Sequence, residues 1–187
     1  MNGKKEKIAL EKNHAHPAKE CAYVAVFVAL VIAAQLALSA LPGVEIVTVL
    51  FISYAYAFGC KRGMLSATAF TLLRQLLFGF FPGVLVLYFI YYNLLALVFG
   101  RLGKKYKKPT QKTWLVLVLA CAFTIGFTLL DCVISSFFYG FTFAGIKAYL
   151  FSSLPVCGIQ TVCTGVTVGA TFIPLTKTFN VIKKSDI

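Results

Sequence analysis

The stretch AYVAVFVALVIAAQLALSALPGVEIVTVLFISYAYAFGCKRG, residues 22–63, decides the expected fold of this chain. It contains two apolar runs, which Leu-Pro-Gly at 41–43 separates and which end at the basic pair Lys61 and Arg62. Proline cannot continue a helix and glycine permits a turn. Because a helix needs about 20 apolar residues to cross a bilayer, the stretch predicts two antiparallel membrane helices.

The same pattern continues through the rest of the chain. The mean hydropathy is +0.85 and 59% of the residues are hydrophobic, whereas a soluble domain has about 45 to 50% apolar residues. The bilayer is therefore the expected solvent, and the sequence predicts an all-α integral membrane protein with six transmembrane helices. The apolar runs cover residues 20–41, 45–59, 63–81, 83–100, 114–138 and 149–173.

Basic residues mark every second connection between these runs. They cluster in residues 4–19, 61–62, 101–112 and 177–184, while the opposite connections hold only Lys147. Cytoplasmic loops of membrane proteins are enriched in Lys and Arg, so both termini are expected in the cytoplasm. The expected organisation is a basic N-terminal tail or short surface helix (1–19), a six-helix domain (20–179) and a C-terminal tail (180–187). The longest apolar outer loop is expected at 137–149.

The net charge of +12 is spread over short clusters beside the membrane, which orient helices against anionic lipid. Nucleic acid is therefore not an expected partner. No histidine lies within the apolar runs, and no HExxH or Gly-x-Ser-x-Gly motif occurs. His14 and His16 have no further metal ligands near them. We expect neither an enzyme nor a metal site or cofactor, and any energy source must be a gradient or a partner.

Polar residues within membrane spans need protein or water to satisfy them, so their depth indicates a site. At 1.5 Å per residue, Gln35, Arg74 and Asp131 lie roughly 9 to 10 Å below the outer end, and Asn93 and Gln160 roughly 15 Å. These depths predict a ligand cavity in the outer half. Its predicted lining is Gln35, Glu45, Tyr54, Arg74, Tyr88, Tyr92, Asn93, Asp131 and Gln160.

Several of these predictions have a structural alternative. Arg74 and Asp131 have similar depths, so they form an ion pair in one reading and meet a ligand in the other. Glu45 is either a solvated start of helix 2, where an acidic residue complements the helix dipole, or a ligand contact. The tyrosines either line the cavity or belong to an interfacial aromatic belt.

Ala25, Ala29 and Ala33 recur at every fourth position of helix 1. Stripes of small residues let another helix approach closely. The stripe predicts either close packing within the chain or a docking face for a second subunit.

These features together resemble the substrate-binding S components of energy-coupling factor (ECF) transporters. The resemblance rests on six short helices, the alanine stripe, and the Leu-Pro-Gly-Val-Glu run at 41–45 before helix 2. Phe-Gly-Cys-Lys-Arg-Gly at 58–63 and Leu-Phe-Gly at 77–79 add to it. It covers residues 18–179.

The resemblance implies a multi-pass subunit of a prokaryotic plasma membrane that captures a vitamin or related micronutrient. It implies docking through the alanine stripe to a transmembrane coupling subunit, which works with two ATPase subunits. Met1-Asn2-Gly3 lacks the N-terminal histidine of the nickel and cobalt members. The Pro-Gly-Val-Glu entrance of helix 2 resembles the broadly annotated S components, among which cobalamin-type carriers occur. Two alternatives stay open, namely an independent small secondary transporter or channel, and an accessory membrane protein.

Overall fold

The computed structural model describes residues 2–38, 46–106, 109 and 112–184, with side chains described over 18–38, 46–106, 109 and 112–183. Within these ranges the chain forms six α-helices and no strand, so the all-α prediction is confirmed. The helices are α1 (Asn2–Leu38), α2 (Val47–Phe58), α3 (Cys60–Phe78), α4 (Pro82–Lys105), α5 (Thr113–Tyr139) and α6 (Phe143–Lys184).

Among the described residues, four helical segments are long and apolar enough to cross a membrane. α2 is shorter, with 12 residues, and α3 carries Lys61, Arg62 and Arg74. The four long apolar segments make the chain compatible with a membrane protein. Six crossings and cytoplasmic termini stay predictions. The four segments are Ala18–Leu38, Pro82–Lys105, Thr113–Tyr139 and Phe143–Lys183.

Following the predicted topology, we name the end of the bundle that carries residues 79–81 and 140–142 the outer end. The inner end carries Gly59 and Lys104.

α2 is the central element of the bundle. Every residue from Val47 to Ala57 is buried, because α1, α3, α4 and α6 all contact this helix. Its length is about 18 Å at 1.5 Å per residue, against a hydrocarbon core of about 30 Å. Since α2 is enclosed by protein, its short length requires neither tilting nor local thinning of the bilayer.

Aromatic side chains fill the space around α2. Phe27 of α1 stacks on Tyr54 with ring centroids 3.8 Å apart. Phe51 contacts Phe70 of α3 and Tyr92 of α4, at 5.3 and 4.7 Å. Aromatic pairs at these separations add stability beyond their burial, so the rings join α2 to three of its neighbours.

Two boundaries differ from the sequence prediction. The expected outer loop at 137–149 lies at the right place, but its predicted length is wrong, because α5 continues to Tyr139 and α6 already begins at Phe143. Gly140 ends α5 in the left-handed region with φ +62°, which glycine adopts without a steric penalty. This allows a three-residue reversal. α6 also continues past residue 173 to Lys184, with Pro155 and Pro174 inside it.

Candidate functional site

A cleft of about 270 Å³ opens between α5 and α6. Its α6 residues recur three, four and seven positions apart, which places them on one face of the helix. On α5, Thr128 and Asp131 are three residues apart and share a face in the same way. The lining is Phe127, Thr128, Asp131, Tyr149, Ser152, Ser153, Val156, Cys157 and Gln160.

Asp131 is the acidic side chain of this cleft. The Tyr149 hydroxyl donates a hydrogen bond to its Oδ2 at 2.7 Å, and the Ser135 hydroxyl donates to its Oδ1 at 3.2 Å. An ionised carboxylate has about four acceptor positions, so these two bonds leave acceptor capacity unused. Over the residues that the structure describes, no cation pairs with Asp131. A hydrogen-bond donor or a cation bound in the cleft would occupy the remaining acceptor positions of the Asp131 carboxylate.

The cleft does not continue inward along the seam of α5 and α6. Thr124 and Thr164 are buried just inward of it, and their hydroxyls are 3.1 Å apart in a hydrogen bond. Ala120 and Val168 follow and are also fully buried. The seam is therefore closed between the cleft and the inner end.

Arg74 lies in a separate cluster formed by α3 and α4. Its guanidinium carbon is 4.3 Å from the ring centroid of Tyr88 and 5.0 Å from that of Phe78. The Nε atom is buried and has no hydrogen-bond partner. The alternative in which Arg74 pairs with Asp131 is wrong, because no ion pair joins these two described residues. Arg74 lies against Tyr88, whereas Asp131 accepts a hydrogen bond from Tyr149. Cation–π contact holds the guanidinium in place and leaves donor capacity for an acidic group.

Of the remaining polar residues of the predicted cavity, Asn93 and Gln35 lie apart from the cleft, and Gln160 belongs to it. Asn93 donates to the Phe89 carbonyl oxygen of its own helix at 2.8 Å and lies 3.5 Å from the Thr68 hydroxyl. Gln35 is half-buried on α1, with its Oε1 atom unpaired. Gln160 lines the cleft with Asp131. Glu45 lies outside the described residues.

The three predicted tyrosines have different environments. Tyr54 is 2% exposed and lies four residues before the end of α2, near the inner end, so its predicted position in the outer half is wrong. Tyr92 is buried between Phe51 and Phe70. Tyr88 contacts Arg74 and lies 5.9 Å from Phe127 of the cleft, centroid to centroid. Of the three tyrosines, Tyr88 is the one that contacts both Arg74 and a residue of the cleft.

Sequence reasoning missed several polar residues of the cleft. The predicted outer loop ends at Tyr149, and no role is predicted for Ser152 or Ser153. Their spacing with Gln160 was the available signal, since these positions share a helical face once α6 starts before residue 149. Gln75 was also missed. It is buried, and its Oε1 accepts a hydrogen bond from the Phe81 backbone N–H at 3.0 Å, which fixes the outer turn between α3 and α4.

The alanine stripe lies on the exposed side of α1. Ala25, Ala29 and Ala33 are all exposed, while Val28 and Val31 on the opposite side are fully buried. No other described part of the chain covers the stripe. The alternative of close packing within the chain is therefore wrong for these residues.

No family model, curated protein or solved structure matches this chain. Fold and site alone define a class, namely a small helical bundle of membrane-protein type with a polar cleft between two of its helices.

Proposed function

We propose that this protein is a membrane-embedded subunit that captures a small molecule and passes it to partner subunits, as the S component of an ECF-type importer does. The observation that carries the proposal is the cleft of α5 and α6, which is open at Asp131 and closed further inward at Thr124 and Thr164. A bundle of this kind holds a ligand without providing a path for it. Release on the other side then requires movement driven by a partner.

The exposed alanine stripe supports a partner subunit. Small residues allow close helix approach, and helix association in lipid depends on such packing because lipid tails are as apolar as the side chains. Ala25, Ala29 and Ala33 offer this surface along about two turns of α1. A coupling subunit that acts with two cytoplasmic ATPases is the proposed partner.

The chemistry of the cleft favours a ligand that donates hydrogen bonds to Asp131 and places an apolar or aromatic part against Phe127 and Val156. Ligand sites typically have volumes of about 300 to 1,000 Å³, and this cleft of about 270 Å³ is at the small end. A vitamin-sized ring compound with amino or ring N–H groups therefore suits it better than a much larger cobalamin-type ligand.

The test is native mass spectrometry of the detergent-purified protein from its own membrane, followed by binding of the retained compound to variants. We expect a retained small molecule and co-purifying ATPase subunits. Because a hydrogen bond to a charged group contributes about 1.5 to 3 kcal/mol, Asp131→Asn should weaken binding roughly 10- to 100-fold. Ser136→Ala is the matched control, since the Ser136 hydroxyl bonds only to the Cys132 carbonyl of its own helix.

Three results would contradict the proposal. Equal affinity of Asp131→Asn and the parent protein, with both folded, would place the ligand elsewhere. Uptake by vesicles that contain only this chain would indicate an independent secondary transporter. A protein purified without ligand or partners would favour an accessory role.

A further inference from the structure

A second and larger cavity lies at the inner end of the bundle, over the end of α2. We name it the inner recess. Its volume is about 770 Å³, and it forms because α2 ends at Phe58 while α1, α4 and α6 continue past it. It is lined by Glu20, Tyr56, Ala57, Phe58, Gly59, Cys60, Lys61, Arg62, Gly100, Gly103, Lys104 and Lys183.

The inner recess has an excess of positive charge. Among the residues whose side chains are described, four basic residues from α3, α4 and α6 line it, against the one carboxylate of Glu20. Glu20 is already paired with Arg62 at 3.0 Å, and the Lys183 ammonium donates to the Ala57 carbonyl oxygen at 2.8 Å. Lys61 and Lys104 are exposed and form no ion pair with any described residue. Three positive charges are therefore not neutralised within the lining.

The first residues of α3, Cys60, Lys61 and Arg62, line the same cavity. The first N–H groups of a helix have no partner within the helix, and in α3 they belong to Cys60, Lys61 and Arg62. Gly59 precedes them with φ +90° and provides no side-chain cap. Unpaired N–H groups and the positive end of the helix dipole favour an anion. The cations and the start of α3 therefore point to the same ligand chemistry.

Membrane orientation alone does not explain this arrangement. Arg101, Lys105, Lys112 and Lys177 satisfy the same topological preference for basic residues at the inner end, yet they do not line the inner recess. The four lining cations thus form a subset that converges on one cavity.

We propose that the inner recess binds a phosphate group, supplied either by the headgroup of an anionic phospholipid or by a soluble phosphate ester. Basic pockets between membrane helices on the cytoplasmic side bind lipid headgroups of this type. Met64 and Leu65 are exposed about one turn beyond Lys61 on α3, and they provide an apolar track for an acyl chain. The site is distinct from the cleft of α5 and α6 and does not depend on the function proposed for it.

The experiment uses the delipidated full-length protein in a neutral detergent, with native mass spectrometry to count bound lipids. The probes are phosphatidylglycerol, phosphatidylcholine as the zwitterionic control, and inorganic phosphate or glycerol 3-phosphate as soluble competitors. We expect saturable retention of phosphatidylglycerol at a stoichiometry of one and much weaker retention of phosphatidylcholine.

Two double variants with the same change in charge locate the site. Lys61→Gln with Lys104→Gln should weaken phosphatidylglycerol binding about 25-fold, since each basic residue near an anionic headgroup contributes a factor of about five. Lys112→Gln with Lys177→Gln removes the same charge at the same end but outside the recess, and it should change binding less than two-fold. Lys61→Arg with Lys104→Arg should restore binding, which separates a charge effect from misfolding.

Each outcome has a defined meaning. Displacement of the lipid by millimolar soluble phosphate, or a rise in thermal stability with glycerol 3-phosphate alone, supports the site and identifies a soluble ester as its ligand. Retention of the lipid in excess phosphate supports the site and identifies the headgroup. Equal losses in the two glutamine variants would overturn the proposal, as would equal retention of phosphatidylcholine and phosphatidylglycerol.

Discussion

Gly100 of α4 is packed against the turn between α2 and α3 so closely that it leaves no room for a side chain. A Cβ at this position would lie 2.5 Å from the Cys60 backbone nitrogen and 2.8 Å from its Cα. Both are backbone atoms and cannot rotate away. Ordinary contact begins near 3.4 Å, so Gly100→Ala requires α4 and the turn to separate by about 1 Å.

The expected cost follows from this clash. Overpacking of this kind costs about 1 to 3 kcal/mol, and the better helix propensity of alanine offsets about 0.5 to 1 kcal/mol of it. We expect Gly100→Ala to destabilise the protein by roughly 1 to 2 kcal/mol. The matched control is Gly126→Ala on α5, where no atom lies within 4 Å of the added carbon. It should stabilise the protein by about 0.5 to 1 kcal/mol.

The assay is the loss of the monodisperse size-exclusion peak after heating in detergent. Since 1 kcal/mol shifts Tm by about 2 to 4 °C in chains of this size, Gly100→Ala should lower Tm by about 5 °C and Gly126→Ala should raise it by about 2 °C. If both variants shift Tm upward by the same amount, α4 is not in contact with the Cys60 turn, and the inner end is packed differently.

Two further substitutions test other surfaces of the bundle. Ala29→Phe should leave Tm unchanged because Ala29 is exposed, yet it should prevent co-purification of the coupling subunit, whereas Leu72→Phe on the exposed side of α3 should not. Lys183→Gln removes the ammonium that caps Ala57 and should destabilise the protein by about 1.5 kcal/mol, while Lys177→Gln should not change Tm in the same heating assay. Normal partner binding by Ala29→Phe, or an unchanged Tm for Lys183→Gln, would refute the respective contact.

The helical class and most of the turns could be predicted from the sequence. The predicted apolar runs at 45–59, 63–81 and 83–100 correspond to α2, α3 and α4, with ends that differ by a few residues. Gly59 and Gly79 adopt the positive φ that the turns between these helices require. The predicted outer loop at 137–149 contains the turn at 140–142 but is too long, because the aromatic residues after Gly140 are compatible with both a loop and a helix.

The arrangement of the polar residues could not be predicted in the same way. Helix rise gives the depth of a residue but not the direction in which it faces. Equal depth therefore leaves an ion pair between Arg74 and Asp131 open as one alternative, although the two residues belong to separate clusters. The partner of Asp131 is Tyr149, whose helix began earlier than the apolar pattern indicated. The enclosure of α2 was also not visible, because its apolar composition is equally suited to lipid and to protein neighbours.

The enclosure of α2 has a consequence for biosynthesis. α2 is made early, yet three of the four helices that contact it, α3, α4 and α6, are translated later. The ammonium that caps its last turn belongs to Lys183, 126 residues further along the chain than Ala57. Because domains usually fold as units during synthesis, a nascent chain that ends before α6 has an incomplete core. The ribosome must therefore release α6 before the native bundle can close around its second helix.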